Sequence, residues 1–158
     1  MEGRRRFHPL ACIAFVTIAL LATPAFGQSP HVGVRLGYDF DSEDVLLGSS
    51  ITVPMTSRID FFPSIDLYLP DEGSRTGFNG DLKYRFSSTG STGLYMGGGL
   101  NVLTRHVGDF SDTDLGVNAL LGLEERLGRV HPFIEGRVRI HDESGVLLIG
   151  GLNITFGR

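Results

Sequence analysis

The chain has 158 residues, 41% apolar and 20% charged, which suits one ordinary domain and excludes a disordered tail or a bundle of membrane helices. A single cysteine excludes a disulfide framework and a cysteine-based zinc site. A net charge of −4 excludes the basic footprint of a nucleic-acid binder.

The first 27 residues read as a secretory leader. Arg4, Arg5 and Arg6 form a basic start, an apolar run covers 10–21, and Ala25-Phe26-Gly27 supplies a small-x-small cleavage site. Twelve apolar residues are too few to span hydrocarbon, which needs about 20. Cys12 sits at the start of the run and is expected to leave with the leader. The mature domain is then 28–158, with eleven basic and seventeen acidic residues, net −6.

That domain resolves into eight segments of period two, the pattern of strands with two unlike faces. In the first, Val32, Val34, Leu36, Tyr38 and Phe40 alternate with Gly33, Arg35, Gly37 and Asp39. The second places Val45, Leu47, Ile51 and Val53 on its apolar face, and the third Ile59, Phe61, Ile65 and Leu67 against Asp60, Phe62 and Asp66. The fourth sets Phe78, Leu82, Tyr84 and Phe86 against Asn79, Asp81, Lys83 and Arg85. The fifth carries Leu94, Met96, Leu100 and Val102; the sixth, Leu115 to Leu123 in steps of two, opposes Asn118 and Glu124. In the seventh, Val130, Ile134, Val138 and Ile140 oppose His131, Phe133, Glu135, Arg137 and Arg139. The eighth runs Leu148, Leu152, Ile154, Phe156. Turn-rich stretches at 41–43, 54–56, 70–74, 87–92, 104–112, 125–129 and 141–145 separate them. Nothing between them has helical period. Eight antiparallel strands in up-and-down order leave open edges unless they close into a barrel.

Composition decides which face points outward. The polar face is rich in glycine and short polar residues, and Lys83 is the only lysine, unlike a water-exposed surface. Its strand charges nearly balance: Asp39, Asp60, Asp66, Asp81, Glu124 and Glu135 against Arg35, Lys83, Arg85, Arg137 and Arg139. Enclosed charges require such pairing, whereas the apolar face carries none. Tyr38, Phe40 and Phe78 near one end of their strands, and Tyr84, Phe86 and Phe156 near the other, form two partial girdles. The expected fold is an all-β, eight-stranded antiparallel up-and-down transmembrane β-barrel with its apolar face toward lipid.

On this strand pattern, the leader and the closing run Leu148-x-Gly150-x-Leu152-x-Ile154-x-Phe156, the chain resembles small eight-stranded outer-membrane proteins of the OmpA-barrel, OmpX and opacity-protein type. The resemblance implies a bacterial outer-membrane location, both termini in the periplasm, and recognition of the C-terminal strand by the barrel-assembly machinery. Here Gly157 and Arg158 follow the closing aromatic. Outer loops would then hold Asp41, Glu43, Asp44, Asp71, Glu72, Asp109, Asp112, Asp114, Asp142 and Glu143 against Arg75 and Arg105, net −8. Periplasmic turns would hold Glu125 against Arg58, Arg126, Arg129 and Arg158. The outer loops are read as short, their acids as a solvated rim, with divalent-cation bridging to surface lipid as the sharper alternative.

The function expected is a structural or surface-interaction barrel, a monomer embedded in outer-membrane lipid, without cofactor, metal or nucleic-acid partner. Arg35, Asp60, Asp66, Asp81, Lys83, Arg85, Glu124, Glu135, Arg137 and Arg139 are read as an interior charge network that leaves no open pore. An alternative is a binding barrel for a small hydrophobic ligand, with Leu46, Tyr68, Leu103 and Leu147 at the outer mouth. A lipid-modifying hydrolase is a third: His31 is placed before the first strand, and His106 and His141 in loops near Ser144, without a complete triad. Thr89 stands where a nucleophile elbow around Ser91 needs glycine.

Overall fold

A computed structural model describes residues 29–87, 90–108, 110–140 and 144–155. The expected leader, Thr89, Asp109, His141, Asp142, Glu143, Phe156, Gly157 and Arg158 lie outside these described residues.

Eight strands follow in chain order: β1 His31–Asp39, β2 Asp44–Pro54, β3 Ile59–Leu69, β4 Ser74–Arg85, β5 Thr92–Val107, β6 Phe110–Glu125, β7 Val130–Ile140 and β8 Gly145–Thr155. Each pairs antiparallel with the next, and β8 pairs back onto β1, so the sheet is a closed barrel. Closure removes both free edges, which is why no helix is needed to cover one. The start of β1 and the end of β8 lie side by side, His31 opposite Thr155.

Alternation sets the faces. Val34, Leu36, Leu47, Leu100, Ile134 and Ile140 each keep half or more of their surface exposed on the outside. Arg35, Asp39, Asp66, Asp81, Glu135, Arg137 and Arg139, at the intervening positions, are buried inside. Val53 and Pro54 are both buried, so the alternation does not run to the end of β2. Tyr38 and Phe40 pack edge to face at 5.2 Å at one rim, and Tyr84 and Phe86 repeat that contact at the other. Phe78 lies inside β4 rather than near its end, because β4 begins four residues earlier than the apolar pattern suggests.

The largest departure from the sequence pattern is at 104–112. This stretch is not a loop: β5 and β6 continue in register from Thr104 opposite Thr113 to Val107 opposite Phe110. Pairing of β6 with β7 begins only at Val117 opposite Ile140, so the hairpin projects beyond its neighbour. Gly108, with φ of 59°, supplies the left-handed turn at its tip. His106, Arg105, Asp112 and Asp114 are therefore strand residues. So are His31, which opens β1, and Asp44 and Arg75, whose side chains are buried rather than solvated in loops.

Candidate functional site

The lumen is the candidate site, because it gathers the charged side chains that an outer surface facing hydrocarbon cannot carry. At the end bearing the projecting hairpin, the Asp39 carboxylate bridges Arg139 at 2.7 Å and Arg75 at 3.3 Å. Arg75 also reaches Asp44 at 3.0 Å and donates to the Ser42 hydroxyl at 2.6 Å. Both guanidinium groups lie against the Tyr68 ring, 4.5 and 5.5 Å from its centroid, and Arg139 donates to the Tyr68 oxygen at 2.7 Å. Arg75 is a member that sequence pattern misses, since four polar or glycine neighbours hide the start of β4.

Immediately below, Leu46, Tyr68, Leu103 and Leu147 pack on one another together with Phe133 and Ile149. None of the four proposed mouth residues exceeds 4% exposure. The cavity at this end, about 270 Å³, is lined by Asp41, Ser42, Arg75, Arg139 and Ser144 and by none of the four proposed mouth residues.

At mid-barrel, Arg35 meets Asp66 at 3.1 Å and Arg137 meets Asp81 at 2.8 Å and Glu135 at 3.0 Å. Asn79 ties these pairs together. It donates to Asp66 at 2.9 Å and Ser64 at 3.1 Å, and accepts from Asn101 and Asn118 at 2.8 and 2.9 Å. Asn118 also donates to Asp81 at 3.0 Å. The Asn79–Asn101 contact follows from strand register, which places the two directly opposite.

Lys83 is buried among aromatic rings. Its ammonium is 2.9 Å from Glu135 and 3.2 Å from the centroid of Phe62, with the Tyr95 and Phe133 rings at 4.3 and 5.7 Å. Phe62 and Phe133 are thus not polar-face exceptions but ring walls around a cation, a favourable contact once water is excluded. Tyr95 completes the shell by donating to Glu135 at 3.0 Å.

Toward the chain-terminal end, Arg85 meets Asp60 at 2.9 Å, and Asn153 donates to Glu124 at 2.7 Å. His131 lies 3.7 Å from Glu124 and its ring is 4.9 Å from that of His31. The cavity here holds about 30 Å³. Within the lumen, Asp39, Asp44, Asp60, Asp66, Asp81, Glu124 and Glu135 face Arg35, Arg75, Lys83, Arg85, Arg137 and Arg139, while Arg105, Asp112 and Asp114 hold the inward-facing positions of the hairpin extension. The structure thus brings all ten predicted interior residues into one lumen. His106, by contrast, faces outward on the hairpin, with its Nε2 3.2 Å from the Ser111 hydroxyl.

The closed eight-stranded barrel has counterparts in fold among solved structures. The N-terminal β-barrel domain of Pseudomonas aeruginosa OprF superposes with a TM-score of 0.71 at 16% identity, covering 82% of this chain and 98% of that one. The fold is that of a small transmembrane β-barrel. Neisserial surface protein A matches this barrel with a TM-score of 0.61 at 12% identity, covering 81% of this chain and 95% of its own. A de novo designed transmembrane β-barrel matches at 0.63 and 12% identity, covering 85% of this chain and 100% of its own. No protein-family model and no curated protein matches the sequence.

Proposed function

We propose that the protein is a bacterial outer-membrane barrel with a structural or surface-interaction role rather than a catalytic one, exported by a cleaved leader and inserted as a monomer by the barrel-assembly machinery. The observation that carries this reading is the filled lumen. Lys83 is held among Phe62, Tyr95, Phe133 and Glu135 at mid-barrel, with the Leu46–Tyr68–Leu103–Leu147 cluster stacked above it. A channel needs a continuous aqueous path, and both layers interrupt one. The projecting β5–β6 hairpin, with Val107 and Phe110 exposed beside its tip, supplies a surface that stands clear of β7 while β4 follows it as far as His106.

Fractionation of cells producing the full chain, followed by gel electrophoresis with and without boiling, tests the location and fold together. An outer-membrane band whose mobility changes on boiling supports the reading; a soluble periplasmic band without the change overturns it. In planar bilayers the folded protein should show no sustained current. A steady open conductance would overturn the closed-lumen part of the reading.

A further inference from the structure

The rim that carries the chain ends differs from the hairpin rim in the sign and setting of its charges. The described turns at the hairpin rim expose Asp41, Glu43, Asp71 and Glu72. The chain-terminal rim exposes Arg58, Arg126 and Arg129. Arg35, Arg75, Arg85, Arg137 and Arg139 inside the barrel are ion-paired, yet among the described residues no salt bridge uses Arg58, Arg126 or Arg129. Glu125, the acid beside them, is already taken up by the Ser91 and Thr92 hydroxyls.

Arg58 is held in a defined place. The Thr56 hydroxyl accepts from the backbone N–H groups of Arg58 and Ile59 at 3.2 and 2.9 Å, and the Arg58 carbonyl accepts from Arg85 N–H at 2.8 Å. Its guanidinium donates to the Tyr84 hydroxyl at 3.1 Å. Tyr84 lies on the outer wall with its ring edge-to-face against Phe86, so the charge sits at the aromatic girdle and not over the lumen. Exposed apolar side chains flank the cations: Met55 and Ile59 around Arg58, and Leu127 between Arg126 and Arg129. Arginine beside apolar side chains and a tyrosine hydroxyl matches the headgroup boundary, where the stem meets acyl chains and the head meets phosphate. Arg126 instead leans toward the mouth, its Nη2 3.4 Å from where a side chain on Gly93 would begin.

We propose that Arg58, fixed by Tyr84, and Arg129, on the opposite side of the same rim, each bind the phosphate of an anionic phospholipid in the inner leaflet of the outer membrane. The inference rests on the barrel spanning that membrane with its chain-terminal rim inward. The guanidinium offers paired N–H donors that fit a phosphodiester, and the unpaired charge favours a lipid with net negative charge over a zwitterionic one.

The folded full-length mature protein, purified in detergent, is given equal amounts of phosphatidylglycerol and phosphatidylcholine, and retained lipid is counted by native mass spectrometry. The wild type should retain phosphatidylglycerol over phosphatidylcholine by about fivefold or more. Arg58→Gln with Arg129→Gln should bring the ratio close to one, Tyr84→Phe should lower it while Arg58 remains, and free inorganic phosphate should not displace the lipid. Equal retention of both lipids by the wild type, or undiminished preference in the double variant, would overturn the proposal. Heat-dependent gel mobility, read on the same samples, separates this failure from failure of the barrel to form.

Discussion

The Lys83 ammonium stands 2.9 Å from the Glu135 carboxylate, and neither side chain exposes more than 8% of its surface. At such burial the pair is a constraint more than a gain, because separating either charge from its partner leaves the other unsolvated. Glu135 also accepts from Arg137 and Tyr95, so one carboxylate coordinates three donors from three strands.

Replacing Glu135 by Gln should therefore destabilise the barrel by about 3–5 kcal/mol, since Lys83 loses its carboxylate partner while Arg137 keeps only Asp81. Lys83→Met should cost less, because Arg137 still neutralises Glu135. Urea unfolding of the barrel in lipid vesicles, run as a double-mutant cycle, should show a coupling of about 1–3 kcal/mol between the two sites. Additive costs would show that the pair does not act as a unit.

Tyr68 joins the outer ion cluster to the apolar layer beneath it. Tyr68→Phe keeps the ring under both guanidinium groups but removes the acceptor for Arg139 at 2.7 Å. The expected loss is about 1.5–3 kcal/mol, the range for a hydrogen bond to a charged group. A loss below about 0.5 kcal/mol by the same unfolding measurement would mean that Arg139 is satisfied by Asp39 alone.

Glycine has a steric basis at the lumen wall, as at Gly99, that it lacks on the outer wall, where Gly136 lies. A side chain at Gly99 would begin 2.1 Å from the Gly80 carbonyl oxygen and 2.6 Å from Asp81 Cα, so Gly99→Ala must push strands apart. At Gly136 the nearest atom, the Leu121 carbonyl oxygen, is 4.0 Å away. Gly99→Ala should cost about 1–3 kcal/mol and Gly136→Ala under about 0.5 kcal/mol. Equal effects of the two substitutions on the urea midpoint would refute this distinction.

The barrel itself is legible in the sequence because its two faces differ so sharply: Val34 and Leu36 flank Arg35, and Ile134 and Val138 bracket Glu135 and Arg137. The hairpin extension is not, since Thr104, Arg105, His106, Ser111, Asp112 and Thr113 are polar on both faces. Without contrast between faces, period two carries no signal, and turn composition dominates the reading. The same effect hides Arg75, which follows a run of turn-forming residues. The charged residues of the lumen can be listed from alternation, but their pairing cannot. That pairing depends on register, which sets Asn79 opposite Asn101 and lets Asn118 reach both Asn79 and Asp81. Nor does alternation reveal that Phe62 and Phe133 wall in Lys83, because aromatic residues on a polar face look like lapses until the cation among them is seen.

The central claim is that the apolar wall faces hydrocarbon, and arginine placed on it measures this directly. Ile134 is half exposed near the middle of β7, whereas Phe110, 84% exposed, lies near the hairpin tip beyond the end of β7. In vesicle-embedded protein, Ile134→Arg should cost about 2–4 kcal/mol of folding free energy and Phe110→Arg under about 1 kcal/mol. Equal and small costs at both positions would show that the wall meets water instead.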